Sequence, residues 1–217
     1  MPSPQDSPRC SLYLITPPLK TIDARALAKI FAEILSAAPV ASALLRFARG
    51  SEREAGAIAP MFLSAATAAD CALLIESDAR MAARLGADGV HVSGAGEELV
   101  AAIKSLKPER IVGVGSLRTR DDAMTAGEEG ADYVMFGEPR GVTRAMALEP
   151  LIERVGWWAE IFETPCVAYA ETISAAARLA RAGADFVALD EAIWGAASPA
   201  KAAREAHALL ASVGAST

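Results

Sequence analysis

The sequence is poor in cysteine, in aromatic residues and in positive charge, and each shortage excludes a class of protein. Its three cysteines, Cys10, Cys71 and Cys166, lie far apart and form neither a C-x-x-C pair nor a zinc-binding spacing. We therefore expect reduced thiols in a cytoplasmic protein. The net charge is −6 and no basic stripe is present, so the sequence predicts no nucleic acid and no membrane among the partners.

Long apolar runs, a dinucleotide fingerprint and strand-end lysines are also missing. No apolar stretch approaches the ~18 residues that a membrane-spanning helix needs. The first predicted strand ends in Thr16-Pro17-Pro18, where an open doubly wound sheet would need a Gly-rich turn. The lysines fall in predicted helices or at their margins, which argues against a Schiff-base aldolase.

What the sequence does contain is a threefold repeat. Gly86-Ala87-Asp88 returns as Gly130-Ala131-Asp132 and as Gly183-Ala184-Asp185, each copy after an Ala-rich helical pattern and before a short apolar strand. Glycine adopts the left-handed conformation that ends a helix, and a short turn then leads into a buried strand. The intervals between copies are about twice the roughly 20–30 residues of one strand–helix unit, so the copies mark alternate strands.

Eight strands alternating with helices follow from this spacing. The strands are predicted at 12–15, 42–47, 72–75, 110–114 and 166–169 and at the ends of the three repeats, and the helices at 23–37, 52–69, 78–85, 97–107, 119–129, 146–162, 172–182 and 199–211. Near-continuous apolar strands need cover on both faces, which favours one (β/α)8 TIM barrel over an open doubly wound sheet. We expect the barrel to span 11–217, after a disordered lead-in at 1–10.

Polar residues cluster where the predicted strands end, and in such barrels this end carries the chemistry. They include Arg46, Glu76, Asp78, His91, Ser116, Arg118, Glu138, Arg140, Tyr169, Glu171, Asp190 and Glu191. Glu76, Asp78 and His91 are the residues that could hold a metal ion, although a strand-end histidine is more often structural. Acids in the last two turns would repel a phosphate, or they stabilise the helix starts that follow. The three tryptophans are expected outside the barrel.

These strand ends resemble a known family, that of thiamine phosphate synthase and its relative, the thiazole tautomerase. The resemblance runs from Leu12 to Ile193 and is best over 85–92, 112–136 and 165–193. It implies an enzyme of thiamine biosynthesis that joins a pyrimidine diphosphate to a thiazole phosphate with magnesium. Arg46 matches the arginine of the family's Gln-x-Arg-x-Lys motif, and Ser116 matches the serine of its Gly-Val-Ser segment, so both are expected to contact the ligand.

Other family positions differ in this sequence. Its two magnesium-binding aspartates align with Ser77 and Gly96, unless Asp78 takes the place of the first. Its Thr-x-Thr-Lys phosphate loop aligns with the shorter Glu138-Pro139-Arg140-Gly141. Its Gly-Gly turn becomes Ala170-Glu171, and its serine after the eighth strand becomes Glu191. Arg118 stands where the tautomerase would have a histidine.

The sequence therefore predicts a thiamine phosphate synthase-like protein with a degenerate phosphate and magnesium site, whose coupling activity is doubtful. The alternative is an inactive or repurposed paralogue that binds another small molecule or a protein partner. His91, Arg118 and Arg140 join Arg46 and Ser116 as expected ligand contacts. Glu76, Asp78, Glu138, Glu171, Asp190 and Glu191 form the expected acidic mouth. Magnesium is expected only if the family activity is retained, and a homodimer is possible.

Overall fold

The computed structural model describes residues 10–48, 52–139 and 146–214. Eight parallel strands pair in chain order, and β8 pairs with β1, so the sheet closes into a barrel. The strands are β1 Ser11–Ile15, β2 Ser42–Leu45, β3 Ala72–Glu76, β4 Gly89–Ser93, β5 Ile111–Gly115, β6 Tyr133–Phe136, β7 Cys166–Tyr169 and β8 Phe186–Leu189. This arrangement confirms the (β/α)8 barrel.

The helices alternate with the strands and cover the outside of the barrel. They are α1 Thr21–Ala37, α2 Ala55–Ala68, α3 Ala79–Leu85, α4 Glu97–Leu106, α5 Arg120–Glu128, α6 Leu148–Ile161, α7 Ile173–Arg181, α8 Glu191–Trp194 and α9 Pro199–Gly214. None of the helices in the described residues is long and apolar enough to cross a bilayer. Residues 1–9 of the expected lead-in lie outside the described part of the chain, and Cys10 is buried in the core.

Most element boundaries agree with the sequence prediction to within two or three residues, and three differences have consequences for the mouth of the barrel. β2 ends at Leu45 instead of residue 47, because the Arg46 amide donates to the Thr16 hydroxyl oxygen at 3.0 Å and leaves the strand ladder. A 3-10 turn, Glu52–Glu54, precedes α2, which therefore begins at Ala55. The short helix α8 was not predicted at all.

The repeated aspartates hold neighbouring strands in register. The carboxylates of Asp88, Asp132 and Asp185 accept hydrogen bonds of 2.7–2.8 Å from backbone amides in or at the start of β3, β5 and β7. Each aspartate's own amide donates back to the carbonyl of the same partner residue, which is Leu73, Val112 or Cys166. The repeat is therefore a structural device that fixes β4, β6 and β8 each on the strand before it.

Alternation along the strands divides the core into two parts. One set of apolar side chains faces the helices, and the other fills the barrel interior. The interior set is Tyr13, Ile15, Leu44, Leu74, Tyr133, Met135, Val167, Tyr169 and Ala188. The inward positions of β5 are Gly113 and Gly115. Because these glycines have no side chain, the Tyr133 ring packs against Gly113 and the His91 ring against Gly115.

Candidate functional site

Three cavities open at the carboxyl ends of the strands, of about 480, 610 and 330 Å³. The first and third share Gly137, Glu138 and Met146, while the second and third share Tyr169 and Glu171. They form one continuous mouth. Among the predicted site residues, those lining it are Arg46, Ser116, Arg118, Glu138, Glu171, Asp190 and Glu191.

Arg46 and Glu76 form an ion pair at the edge of this mouth. Arg46 Nε donates to Glu76 Oε1 at 3.1 Å, and the two side chains are 13% and 31% exposed. The Thr16 hydroxyl fixes the Arg46 backbone from the neighbouring strand. The arginine that would attract a phosphate already has a carboxylate partner on β3, which reduces its attraction for a further anion.

The Glu138 side chain accepts a hydrogen bond from the backbone that follows β5. Ser116 adopts a left-handed conformation, with φ of +56°, and its amide donates to Glu138 Oε1. Burial raises the pKa of Glu138 above its usual value, and the Ser116 amide opposes part of that rise. A free backbone amide at such a turn is a common anion contact. Here a side chain of the protein itself accepts from that amide.

His91 lies beneath Glu138, inside the barrel. Its imidazole is 5% exposed, and its Nδ1 lies 2.9 Å from the Tyr133 hydroxyl. Burial lowers the pKa of His91 to about 4, with a smaller contribution from the charge of Arg46. The imidazole is therefore neutral at pH 7 and can offer one N–H and one lone pair.

The second cavity is lined by acids and by an unexpected aromatic residue. The Tyr169 hydroxyl donates to Asp190 Oδ1 at 2.8 Å, and Glu171 and Glu191 lie in the same wall. Trp194 lines this cavity, with its indole N–H donating to the Ile15 carbonyl at 2.8 Å and its ring stacked on Phe31. The expectation that all three tryptophans lie outside was wrong for Trp194, because the unpredicted helix α8 turns it towards the mouth.

The remaining predicted residues lie elsewhere or outside the described residues. Asp78 is the N-cap of α3, and its Oδ1 accepts from the Met81 amide at 2.7 Å. It does not line the three mouth cavities as they are described. Arg118 lines the first cavity, and its amide donates to Asp122. Arg140 lies outside the described residues.

The described residues contain no preformed metal-binding cluster. Across residues 10–48, 52–139 and 146–214, no group of three or more His, Cys, Asp or Glu side chains is arranged to hold a metal. Glu76 is engaged by Arg46, and Asp78 caps a helix. Magnesium in nucleotide-type sites usually needs one or two carboxylates in addition to the phosphates it bridges.

Sequence reasoning missed two of the tyrosines inside the barrel, Tyr13 and Tyr133. Tyr13, Tyr133 and Tyr169 lie at inward positions of β1, β6 and β7. The Tyr133 hydroxyl lies 2.9 Å from Nδ1 of the buried His91, and the Tyr169 hydroxyl donates to Asp190 at the mouth. A signal for them was present, since polar-tipped aromatics on otherwise apolar strands need a buried partner. The partners themselves come from distant parts of the chain.

Comparison with known proteins places these features in context. A sequence model of the family described as thiamine monophosphate synthase matches residues 12–193. Thiamine-phosphate synthase of Rhodospirillum centenum is 38% identical over 188 residues, covering 85% of this chain and 89% of that protein. Thiamine-phosphate synthase of Hyphomonas neptunium is 38% identical over 217 residues, covering 96% and 97%.

Solved structures show the same fold. Thiamine phosphate pyrophosphorylase from Pyrococcus furiosus superposes with a TM-score of 0.80 at 22% identity, covering 95% of this chain and 98% of that one. A 3-hexulose-6-phosphate synthase superposes with a TM-score of 0.70 at 19% identity, covering 91% and 99%. At these identities the likeness establishes the barrel architecture alone.

Proposed function

Because the chain belongs to the thiamine monophosphate synthase family, we propose that its barrel mouth binds a small heterocyclic molecule of thiamine biosynthesis without a magnesium-bound diphosphate. The observation that carries this proposal is the contact between Glu138 and the Ser116 amide. The Glu138 carboxyl group accepts from the Ser116 amide at the end of β5. The family resemblance predicts that Ser116 contacts the ligand, so the protein itself occupies an expected ligand contact. The protein is thus a thiamine phosphate synthase-like member with an altered site.

The charges of the mouth support the same proposal. Its described lining carries the acids Glu138, Glu171, Asp190 and Glu191 and the cations Arg46 and Arg118. Two like charges about 4 Å apart repel by on the order of 1–4 kcal/mol, depending on how much water lies between them. A diphosphate would meet this repulsion, whereas a neutral or cationic ring would not.

The neutral groups of the mouth suit a flat ring. Trp194 and Met135 line the mouth and supply apolar surface, and the Tyr169 hydroxyl, which donates to Asp190, supplies an uncharged polar edge. Apolar walls with a few oriented polar groups are typical of small-molecule sites. The proposed role of these residues is to bind and orient a ring while excluding water.

The proposal is tested by calorimetric titration of the full chain with thiazole phosphate and with the corresponding thiazole alcohol. We expect the alcohol to bind and the phosphate to bind more weakly, with or without Mg²⁺. Glu138→Ala, which frees the Ser116 amide, should improve phosphate binding about tenfold, equivalent to about 1.4 kcal/mol. Glu138→Gln removes charge but retains an acceptor for the amide, so its gain should be smaller.

Glu160→Gln is the matched control, since Glu160 is exposed on α6, away from the mouth. Stronger binding of the phosphate than of the alcohol by the wild-type chain would contradict the proposal.

A second candidate function is the family's own reaction, in which the pyrimidine diphosphate is joined to thiazole phosphate. It is favoured by the relatives named thiamine-phosphate synthase that match this chain over nearly its whole length. Incubation of the chain with the pyrimidine diphosphate, thiazole phosphate and Mg²⁺ separates the two candidates. If thiamine phosphate forms in proportion to the amount of enzyme, and a chelator abolishes its formation, the second candidate function is established and the first is excluded.

A further inference from the structure

A fourth cavity, of about 210 Å³, lies at the amino-terminal end of the barrel, opposite the mouth. Its lining includes the first residues of four strands and residues of the turns that precede two others. The strand-starting residues are Ser42, Ile111, Tyr133 and Phe186, and the turn residues are Asp132 and Pro165. In the described part of the chain this cavity shares no lining residue with the three mouth cavities.

The cavity is present because inward positions at this end of the barrel hold small residues. Side chains alternate along a strand, so Ser42 and Ala72 share the inward face of β2 and β3 with Leu44 and Leu74. Ser42 and Ala72 are also direct neighbours in the register of the two strands. Bulky branched side chains usually fill the interior of such barrels, and a serine beside an alanine leaves this end unfilled.

The aromatic part of the wall offers ring surface, because its hydroxyl groups are already paired. The Tyr13 and Tyr133 hydroxyl oxygens lie 2.9 Å apart, and the Tyr133 hydroxyl lies 2.9 Å from His91 Nδ1. Ile111 and Phe186 pack against the same interior cluster. A ligand ring can therefore pack on this wall without separating a buried polar group from its partner.

Asp132 supplies the charged edge of the cavity. Its Oδ1 accepts from Lys107 Nζ at 2.7 Å and its Oδ2 accepts from the Val112 amide at 2.8 Å, which fixes the carboxylate in place. Each carboxylate oxygen can accept a further hydrogen bond. Among the described lining residues Asp132 is the one that carries a formal charge. A ligand with a hydroxyl donor therefore suits this edge, whereas an anion offers no donor and meets a like charge.

The volume of the cavity restricts the size of its ligand. An apolar cavity of about 150 Å³ is large enough to hold benzene, so 210 Å³ accommodates one six-membered ring with a small substituent. Sites for larger, drug-sized molecules usually exceed about 300 Å³. Mostly apolar walls with one oriented polar group are typical of a site for a small neutral molecule.

We propose that the amino-terminal end of the barrel is a second binding site, which takes a neutral single-ring molecule whose hydroxyl group donates to Asp132. The ring packs between the apolar side chains of Leu74, Ile111 and Val167, which line the cavity. This proposal goes beyond the proposed function and does not depend on it, because the two sites lie at opposite ends of the barrel.

The position of the site is tested with phenol as the probe, by NMR of the full chain with labelled Ile, Leu and Val methyl groups. We expect saturable shifts with a dissociation constant of about 1 mM, as suits a ligand of this size. Nuclear Overhauser effects should connect the phenol ring with methyl groups of Leu74, Ile111 and Val167. The absence of saturable binding, or contacts of phenol with Trp194 at the mouth alone, would overturn the proposal.

The role of Asp132 is tested by comparing phenol with benzoate, an anion that has the same ring and no donor. We expect the wild-type chain to bind phenol about tenfold more tightly, the effect of one hydrogen bond to a charged group. Asp132→Asn should remove most of this preference. Asp88→Asn is the matched control, because Asp88 makes the equivalent register bonds between β3 and β4 but does not line the described cavity. Equal affinity of the wild-type chain for the two probes would contradict the proposal, even if Asp132→Asn does not fold.

The cavity itself is tested by filling it. Ser42→Leu places an apolar side chain in the space and should weaken phenol binding by at least about tenfold. If that variant does not fold, Ser42→Val makes the same test with a smaller side chain. Ser64→Leu, at an exposed position of α2, is the matched control and should bind phenol as the wild-type chain does. Unchanged phenol affinity in a folded Ser42 variant would overturn the proposal.

Failure of this proposal is distinguishable from failure of the proposed function. Titration of Ser42→Leu with the thiazole alcohol should give the wild-type result, since Ser42 does not line the mouth cavities as described. If phenol binds at the amino-terminal end and the thiazole alcohol does not bind at all, the second site stands and the proposed function fails.

Discussion

At the scale of single residues, His91 shows how an interior position changes an ordinary side chain. Its ring contacts Tyr133, and the charge of Arg46, the partner of Glu76, acts on it. A Cβ at Gly115 would lie close to both His91 Nε2 and Glu138 Oε1. Its folded-state pKa of about 4 lies below the 6.5 of an unperturbed histidine. The unfolded chain therefore takes up a proton on this residue at a higher pH than the folded chain does.

This difference predicts a loss of stability in mild acid. As the pH falls from 7 to 5, protonation of the unfolded state should lower the free energy of unfolding by about 2 kcal/mol through His91 alone. The loss begins near pH 6.5 and ends near pH 4. Urea unfolding at pH 7, 6 and 5 measures it, with His91→Gln as the reference that lacks the titrating ring. Parallel pH curves for the two proteins would show that His91 makes no such contribution.

At the scale of elements, local capping sets where the helices after β5 and β7 begin. Thr119 and Asp122 form a reciprocal capping box at the start of α5, and the Thr172 hydroxyl accepts from the Ala175 amide at the start of α7. Both threonines are the N-cap residues of their helices. Backbone hydrogen bonds at this turn lower the pKa of Asp122, chiefly the bond from Thr119.

Removal of the α5 cap should destabilise the barrel measurably. Thr119→Ala leaves the Asp122 amide without its side-chain partner, so the free energy of unfolding should fall by about 1 kcal/mol. Thr125→Ala, at an exposed position within the same helix, is the control and should be neutral or slightly stabilising. Chemical denaturation measures both. If Thr119→Ala unfolded at the wild-type denaturant concentration, the cap would have no energetic role.

At the scale of the whole molecule, the repeated aspartates link strand pairs around the barrel. Asp88 and Asp185 hold β4 on β3 and β8 on β7, on opposite sides of the closed sheet. They share no partner, so their contributions should be independent.

Asp88→Ala and Asp185→Ala should each lower the free energy of unfolding by roughly 1–2 kcal/mol, since each leaves a backbone amide without its acceptor. The double variant should show the sum of the two effects within about 0.5 kcal/mol. Asp23→Ala, an exposed acid on α1, should change stability by less than about 0.5 kcal/mol. Equilibrium unfolding of the four variants and the wild-type chain checks this. No loss in either single variant would mean that the repeat does not stabilise the barrel.

Much of the architecture could be predicted because it depends on local patterns. Apolar runs, helix periodicity and the Gly-Ala-Asp turns each act over a few residues, and together they determined the number and order of the strands. The end of β2 was missed because it depends on a contact between distant residues, and the helix α8 was missed because it is too short to show a helical period. The Thr16 hydroxyl that draws the Arg46 amide out of the ladder lies 30 positions away in the chain, and α8 is only four residues long.

The sequence by itself determined that this protein is a barrel of the thiamine monophosphate synthase family with an acid-rich mouth, because strand order places the strand-end residues at one face. Only the tertiary structure decided which of them meet. Tyr13 and Tyr133 are 120 positions apart, and Tyr133 and His91 are 42 apart. Their contacts depend on the barrel's closure and on the space left by Gly113 and Gly115, which no local pattern specifies.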